Sequence, residues 1–506
     1  MSRKVLAGLA ATLALLAIWP LFNLIAEGLQ GLFNGLGSLG PDGGRQIRGT
    51  LSLLLGSALV GTVIGTANGW LLINCRFPGR RWLRIAQLIP LATPAYLLSA
   101  TLVDLGSRQG WRIHGLGWGV VVMALATYPY VFLLSTESFA MSGRRQLEAC
   151  RSLGVGPWAA FRRVALPIAI PAIGAGVAWV GMEIVNELGA VQLLGIPSLS
   201  AGILEAWQAD GNPTGAISLA LITLIIVLSL VMGERRLRRR SRRWSDGVAG
   251  GDATAWPLKG VRALTAQLLA VIPPVLSLGT PLFWVLTNLD QLQTNFTNDL
   301  LQLSLRSLFL ALAAAILAVG AAVLLAIAKR WSTAPWLRSL TFLAGMGYAI
   351  PGTVLALALL LTGAPWQIAP LALLLWGYSD RFLAVAKSGL DAALERISPN
   401  LDEAATGMGF DWHQVLRRIH LPLLRGPMTV GLLLVFVDTI KELPLTFALR
   451  PFDFDTLSVR VYQYASDERL AEALLPALMI LVLGLIASMA LVPTLDQSSN
   501  RRSIQD

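Results

Sequence analysis

Apolar residues occur along this chain in long blocks, and short polar segments separate each block from the next. Each block holds roughly 20 residues, the length that an α-helix needs to cross a hydrocarbon layer about 30 Å thick. The pattern therefore predicts an all-α integral membrane protein with about twelve membrane-spanning helices. The predicted spans are 5–27, 50–74, 84–105, 115–137, 168–189, 214–233, 262–288, 303–328, 340–362, 366–388, 424–444 and 471–493.

Two of the polar segments, 138–167 and 389–422, carry the same residues at the same internal spacing. The matching positions are Glu148 and Glu403, Gly154 and Gly409, and Pro167 and Pro422, each pair 255 positions apart. This repeat predicts two halves, residues 1–234 and 262–506, joined by a basic and glycine-rich linker at 235–261. Because each half has an even number of spans, both halves cross the membrane in the same sense, as a parallel repeat.

Lysine and arginine are concentrated in the loops that this alternation places on one side of the membrane. The basic loops are Arg76–Arg84, 138–167, 235–243, Lys329–Arg338 and 389–422. The opposite loops 189–213 and 289–302 contain neither residue type. Since basic residues are retained on the cytoplasmic side, the pattern predicts that both termini lie in the cytoplasm.

Composition agrees with a membrane protein, because 55% of the residues are hydrophobic and only 14% are charged, against about 25% charged in soluble proteins. The net charge of +11 is explained by the basic loops better than by a nucleic-acid partner. The run 235–243 could also bind anionic lipid head groups, although a topological signal is the simpler interpretation. Cys75 and Cys150 form no CxxC motif, and the three histidines lack zinc-site spacing, so no metal site is assigned.

Each matched loop predicts a short helix, a turn at the glycine, a second helix, and a Leu-Pro pair that opens the next span. Glycine permits a turn that a side chain would hinder, and proline suits the first turn of a helix. An ordinary amphipathic connector would not require matching positions in both halves. Two copies in register therefore favour a shared functional role.

Four carboxylates lie within predicted spans: Glu183 and Glu187 in the fifth, and Asp438 and Glu442 in the eleventh. Each pair is spaced i, i+4 and so shares one helix face. An aspartate at the membrane centre costs roughly 2.5–3.5 kcal/mol, so such groups usually face a bundle interior or a water-filled path. Our hypothesis is that the four meet near the central axis, line a translocation path and attract a cation. In the alternative they join the halves or cap helix ends, and Lys441 could neutralise one of them.

The chain contains no G-x-x-x-x-G-K-[ST] loop to cradle nucleotide phosphates, and no lysine directly follows a glycine. No serine, histidine and aspartate set suggests catalysis either. The sequence therefore predicts a non-catalytic subunit without a cofactor of its own. If transport is driven by ATP, the nucleotide is used by separate partner chains. The Tyr128-Pro129-Tyr130 stretch favours an interfacial aromatic anchor over a position in a path.

The matched loops resemble the EAA loops of the permease subunits of bacterial binding-protein-dependent ABC importers. The motif positions are held by Glu148, Ala149 and Gly154 in the first copy and by Glu403, Ala404, Ala405 and Gly409 in the second. The first copy departs from the motif at Cys150, where the second has Ala405. The resemblance implies a fused permease of the type I importer fold in the bacterial inner membrane. Its implied partners are two ATP-binding-cassette subunits, docked on these loops, and a periplasmic binding protein.

Further stretches resemble the permeases of ferric-iron importers in particular. They are Pro90–Tyr96, Tyr128–Tyr130, Asn186–Val191, Gly347–Ala356, Lys441–Pro444 and Arg450–Leu457. The resemblance implies ferric iron as the cargo, with the outer loop 445–470 as a docking surface for the binding protein. Related fused permeases are associated with thiamine and phosphonates, so these cargoes remain alternatives. A secondary transporter driven by an ion gradient is the alternative of a different class, but it would not require matched docking loops.

Overall fold

The computed structural model describes residues 3–33, 39–40, 42–141, 144–242, 255–289, 298–332 and 334–500, and nearly all of them are helical. The first half consists of α1 (Arg3–Phe33), α2 (Gly43–Asn74), α3 (Arg80–Ala86), α4 (Ala95–Ser107), α5 (Leu116–Met141), α6 (Arg144–Ser152), α7 (Pro157–Ala160), α8 (Leu166–Asn186), α9 (Gly189–Leu193), α10 (Leu199–Leu204) and α11 (Pro213–Arg242). The last of these continues into the predicted linker, whose residues 243–254 lie outside the described part of the chain.

The second half follows the same order of elements. It consists of α12 (Val261–Pro274), α13 (Thr280–Leu286), α14 (Asn298–Trp331), α15 (Pro335–Ala344), α16 (Gly352–Gly363), α17 (Pro370–Glu395), α18 (Pro399–Gly407), α19 (Trp412–Val415), α20 (Leu421–Lys441), α21 (Pro444–Leu449), α22 (Leu457–Ser466) and α23 (Leu470–Asn500). Helices α2 and α14, α3 and α15, α6 and α18, and α8 and α20 all begin 255 positions apart. The repeat read from the polar loops is therefore also a repeat of the helices.

Within the described residues, eight helices are long and apolar enough to cross a membrane. They are Val5–Gln30, Gly43–Asn74, Leu116–Ala140, Pro157–Asn186, Pro213–Arg239, Val261–Leu286, Asp299–Trp331 and His413–Lys441. The predicted third span is instead a pair of helices, Arg80–Ala92 and Ala95–Ser107, bent by 90°. The predicted tenth span corresponds to α17, which carries Asp380 and Arg381 among its apolar residues.

The spans are broken at equivalent places in the two halves. A 3₁₀ turn, Ile89–Ala92, precedes α4, and a second 3₁₀ turn, Gly347–Ala349, precedes α16. Pro94 and Pro351 stand in extended conformation directly before these two helices. Proline has no backbone N–H and disfavours helical conformation in the residue before it, so each apolar block is interrupted there.

The first helix of each half packs against the opposite half. Leu6, Ala10 and Ala14 of α1 are buried in one apolar cluster with residues of α14 and α16. Conversely, the α12–α13 segment packs on α2, α3 and α4. Polar contacts hold it there: the Gln87 side chain donates to Ala270 O at 2.6 Å, and Trp284 Nε1 donates to Asp104 Oδ2 at 2.8 Å. The two halves are thus interlocked.

The last part of the predicted linker packs beside the first matched loop. Cys75–Arg76 and Trp256–Pro257 form a two-residue parallel β-ladder. The Trp256 ring packs 5.7 Å from that of Trp70, and its Nε1 donates to Val155 O at 3.3 Å. Because Val155 directly follows Gly154, the last part of the predicted linker contacts the loop of the first half.

The two cysteines provide a test of this packing. Cys75 is buried, and burial raises the pKa of its thiol to about 11, whereas Cys150 is partly exposed. At pH 8 the Cys75 thiol is therefore protonated. It is unreactive because only the thiolate reacts with maleimides. In the detergent-purified chain we expect one fast thiol at pH 8, removed by Cys150→Ala, and a second only on denaturation. The rate at Cys75 should rise as the pH approaches 11. Two fast thiols in the native protein would contradict the buried position of Cys75.

Candidate functional site

A cavity of about 90 Å³ lies between the two halves, beside the broken spans. All four carboxylates singled out in the sequence line it: Glu183, Glu187, Asp438 and Glu442. Two cationic side chains, Arg381 and Lys441, line it as well. The structure therefore brings the two i, i+4 pairs to one place, together with positive charge from the second half.

Two of the carboxylates cap short helices. Glu187 Oε1 accepts a hydrogen bond from Ala190 N at 2.9 Å, at the start of α9. Glu442 accepts from Leu445 N and Thr446 N, both at 3.0 Å, at the start of α21. A carboxylate at a helix N-terminus satisfies backbone N–H groups and interacts favourably with the helix dipole. For these two residues the capping alternative describes the observed contacts.

The backbone at the same two positions is also held in a repeated way. The Ser458 hydroxyl donates to Glu442 O at 2.7 Å, and the Ser200 hydroxyl donates to Glu187 O in the first half. Each serine belongs to the helix that follows the capped helix, α10 in the first half and α22 in the second. The break at the end of each long span is thereby closed by groups from its own half.

The other two carboxylates differ from each other. Asp438 Oδ1 lies 2.9 Å from Lys441 Nζ, which also donates to Leu91 O of the first half at 3.2 Å. The side chain of Glu183, its repeat counterpart, forms neither a hydrogen bond nor an ion pair with any described residue. The halves thus contribute a neutralised carboxylate and an unpaired one, and Glu183 is the acidic group that remains available in the cavity.

Asn186 of the first half contacts the second half, just as Lys441 of the second half contacts the first. It stands 255 positions before Lys441, and its Oδ1 accepts from Gly352 N at 2.7 Å, at the start of α16. A Cβ at Gly352 would lie 2.9 Å from Glu442 Oε1 and 3.0 Å from Leu445 N, so the close packing of α16 against the start of α21 requires glycine at this position. The two equivalent positions, Asn186 and Lys441, therefore each join their own half to the broken span of the other.

Arg381 is a cavity residue that the sequence argument did not single out. It is buried in α17, its Nη1 donates to Ile350 O at 2.8 Å, and its Nε lies 3.9 Å from Glu442 Oε1. A charged residue within an apolar span is expensive, so Asp380-Arg381 inside the predicted span 366–388 was the available signal. Among the described residues, no group of three or more His, Cys, Asp or Glu side chains could hold a metal ion.

The two matched loops have the same backbone geometry. Gly154 and Gly409 have φ of 73° and 84°, in the left-handed region. After them, Val155 N donates to Cys150 O at 2.8 Å and Phe410 N donates to Ala405 O at 3.1 Å. These are the hydrogen bonds of a Schellman motif, which ends a helix on a glycine. The predicted turn at each glycine is confirmed.

The second helix of each loop is continuous with the following span. Pro157–Asn186 and His413–Lys441 each run as one helix, with a π-helical turn at Phe161–Ala165 or Leu416–His420. The Leu-Pro pair therefore does not mark a new helix, as the sequence suggested, but follows the π-helical turn. Each loop is joined through one continuous helix to the carboxylates at the cavity.

The surface of both loops is partly apolar and exposed. Glu148, Ala149, Glu403 and Ala404 are exposed. Leu153 and Met408, directly before the turn glycines, expose 80% and 69% of their surface. Large apolar side chains exposed at matching positions of two polar loops are typical of a docking surface. This apolar pair was not predicted from the sequence.

The loops are anchored by different interactions. In the second, Asp402 lies 2.6 Å from Arg330 Nε and 2.7 Å from the buried His420 Nε2. The equivalent positions in the first half are Cys75, Leu147 and Ala165, all buried in an apolar cluster. The first loop is therefore held by packing and the second by an ion-pair network.

A family model described as "Binding-protein-dependent transport system inner membrane component" matches residues 58–243 and 318–498. The Fe(3+)-transport system permease protein FbpB 2 of Haemophilus influenzae is 25% identical over 85% of this chain and 86% of its own length.

Other relatives match only part of the chain. The probable sulfate transport system permease protein cysT of Nephroselmis olivacea is 29% identical over 38% of this chain and 74% of its own length. The molybdenum transport system permease protein ModB of Escherichia coli is 28% identical over 34% of this chain and 83% of its own length.

Substitution of the Glu442 cap tests its structural contribution. Glu442→Ala leaves the Leu445 and Thr446 N–H groups without their acceptor, so we expect it to destabilise the chain by about 1–2 kcal/mol. Glu442→Gln, which keeps one acceptor oxygen, should cost less. Thermal unfolding of the purified chain in detergent measures both. Glu472→Ala, at an exposed ion pair, is the control and should change stability by less than about 0.5 kcal/mol. An alanine variant as stable as this control would contradict the capping role.

Proposed function

The chain belongs to the inner membrane components of binding-protein-dependent transport systems, and we propose that it is the permease subunit of an ATP-driven importer. The observation that carries the proposal is the pair of matched loops, each continuous with a helix that ends at the central cavity. Such a continuous helix can transmit a movement of the loop to the cavity without any nucleotide site in this chain. The protein itself is a multi-pass membrane protein.

We infer that each loop docks one ATP-binding-cassette subunit, giving two such subunits per chain. The exposed Leu153 and Met408 would enter an apolar site on the partner, with Glu148 and Glu403 at its rim. Closure of the two ATPases would draw the loops together and rock the halves between two states of access. The topology proposed for this machine is twelve spans with both termini in the cytoplasm, and a periplasmic binding protein docks on the opposite face, including the loop 445–470.

We propose ferric iron as the cargo. The Haemophilus influenzae relative is an Fe(3+)-transport permease and aligns along most of both chains. Carboxylate oxygens are suitable ligands for a small, highly charged cation. Glu183 supplies an unpaired carboxylate, while Asp438 is held by Lys441, so the cavity would attract a cation without binding it permanently.

Other cargoes in the same machine are the second candidate. One relative is a probable sulfate transport permease, and an oxyanion such as sulfate would meet Arg381 and Lys441 in this cavity. The Arg381 and Lys441 side chains already have partners within the chain. This favours a cationic cargo over an oxyanion. Thiamine and phosphonates remain to be tested alongside it. A gradient-driven secondary transporter gives no role to the matched loops.

The loops are tested by reconstitution in liposomes with the candidate ATPase subunits and binding protein. We expect the ferric-loaded binding protein, but not the unloaded one, to stimulate ATP hydrolysis. Gly154→Ala and Gly409→Ala introduce about 1–2 kcal/mol of strain in the turn, and we expect roughly fivefold weaker ATPase docking or worse.

Gly156→Ala is the matched control for these variants, because Gly156 lies in the same loop with φ of −68° and open space around it. No ATPase association with the parent chain would contradict the importer. Association without ferric stimulation would agree with an importer but contradict ferric iron as its cargo. Thiamine and phosphonate would then be tested with their own binding proteins.

Glu183→Gln tests the electrostatic role of the cavity. Removal of the unpaired charge should lower ferric transport by about tenfold, since a charged cleft concentrates its counter-ion by about that factor or more. ATPase docking should be unchanged. Glu137→Gln, an exposed carboxylate on α5, is the matched control. Equal transport by the two variants would show that Glu183 does not act on the cargo.

A further inference from the structure

A second cavity, of about 160 Å³, lies on the loop side of the central one. Met182, Met346 and Glu234 are among its lining residues. Glu234 lies on α11, which packs along α8. The lining residues Trp179 and Met182 precede Glu183 along α8 on the way from the first loop. The two cavities are therefore stacked along the direction from the central site toward the loops.

The cavities share a wall of five residues: Tyr130, Glu183, Asn186, Tyr348 and Arg381. Tyr130 comes from α5 of the first half, and Tyr348 comes from the 3₁₀ turn before α16 of the second. Their phenol groups are close enough to interact electrostatically. The place of Tyr130 at this wall differs from the interfacial anchor that the sequence favoured.

Neighbouring side chains hold the two phenols in position. The Tyr130 ring meets Trp179 edge-on, with ring centres 5.8 Å apart. The guanidinium carbon of Arg381 lies 6.0 Å from the centre of the Tyr348 ring. The wall thus contains one aromatic side chain from each half and the Arg381 guanidinium, together with the Glu183 carboxylate.

We propose that Tyr130, Tyr348 and Arg381 form the gate that closes the central cavity from the loop side, and that Arg381 makes the closed gate repel cations. The inference rests on the proposed function, since it assigns the barrier within that path. Each half supplies one phenol, so any separation of the halves parts the two. Tyr348 lies on an irregular turn between two helices, where backbone rearrangement is less costly than within a helix.

Arg381 suits the electrostatic part of this role. Its Nη1 is bonded to Ile350 O, and its buried Nε lies 3.9 Å from Glu442 Oε1 without a hydrogen-bond partner among the described residues. A guanidinium held at a constriction excludes cations by repulsion in a medium of low dielectric constant. In a path for a cation, such a charge prevents leakage when the gate is shut. The spare Nε donor could form a bond in another state of the gate.

The gate is tested by the access of a membrane-impermeant maleimide to single cysteines. The full-length chain carries Cys75→Ala and Cys150→Ala, and it is reconstituted in vesicles without ATPase, binding protein or cargo. Met346→Cys reports on the loop-side cavity, and Leu91→Cys reports on the central cavity. The loop side is defined as the orientation in which Met346→Cys is labelled.

With both tyrosines present, we expect Leu91→Cys to react at least about tenfold more slowly than Met346→Cys from the loop side. Tyr130→Ala with Tyr348→Ala should bring the two rates within about threefold. Phenylalanine at both positions, which keeps the rings, should give an intermediate rate. Tyr128→Phe is the matched control, because Tyr128 lies on the same helix, is fully buried and lines neither cavity.

Two results would overturn the gate. Either Leu91→Cys reacts as fast as Met346→Cys in the parent, or it stays slow after tyrosine removal while labelling of Met346→Cys is unchanged. If the alanine pair does not fold, the phenylalanine pair decides in the same way. Because the assay needs neither ATP nor iron, a failure of ferric-stimulated ATPase would not alter its outcome.

The charge is tested separately by passive influx of Fe²⁺ into vesicles, followed with an encapsulated fluorescent chelator. We expect Arg381→Gln to raise the influx severalfold over Arg381→Lys, which keeps a positive charge. Equal influx in the two variants, with equal labelling of Met346→Cys, would remove Arg381 from the gate.

Discussion

Backbone groups inside a membrane have no water to bond, and this constraint governs the centre of the molecule. A span can be broken there only if protein groups satisfy the freed N–H and C=O groups. Asn186 bonds the start of α16, Lys441 bonds Leu91 O, and Arg381 bonds Ile350 O. Since the first two contacts cross between the halves, the side chains that permit the breaks also join the halves together. The cavity exists because the spans are broken, so its chemistry and its architecture depend on the same residues.

Much of the fold follows from local pattern and spacing. The repeat at 255 positions and the turn glycines Gly154 and Gly409 are visible in the sequence, since a polar loop between apolar blocks has few alternative structures. The number of spans is less evident, because α17 mixes charges with apolar residues and the third span is bent. Local pattern cannot show which carboxylate caps a helix, and the capping by Glu187 and Glu442 depends on the short helices after them. Tyr348 and Arg381 meet Tyr130 only through packing between the halves, which no spacing in the sequence records.

The two halves share a plan but have diverged in detail. One loop is anchored by Arg330, Asp402 and His420, and the other by an apolar cluster with Trp256 packed nearby. In the cavity, both cations belong to the second half. Two identical subunits would have to place each charge twice around the axis. A fused chain can instead place an unpaired negative group from one half and a positive group from the other at the same cavity.

The exchanged first helices also set the order in which the molecule can be completed during synthesis. Gln87 and Asp104 lie in the first half, but their partners Ala270 and Trp284 follow them by 183 and 180 residues. At about 5–20 residues per second, these partners emerge roughly ten to forty seconds later. Throughout that interval the Gln87 amide N–H lacks its acceptor, whereas Asp104 can already pair with Arg108 of the same half. The assembly of the first half is finished only when the ribosome has delivered the beginning of the second half.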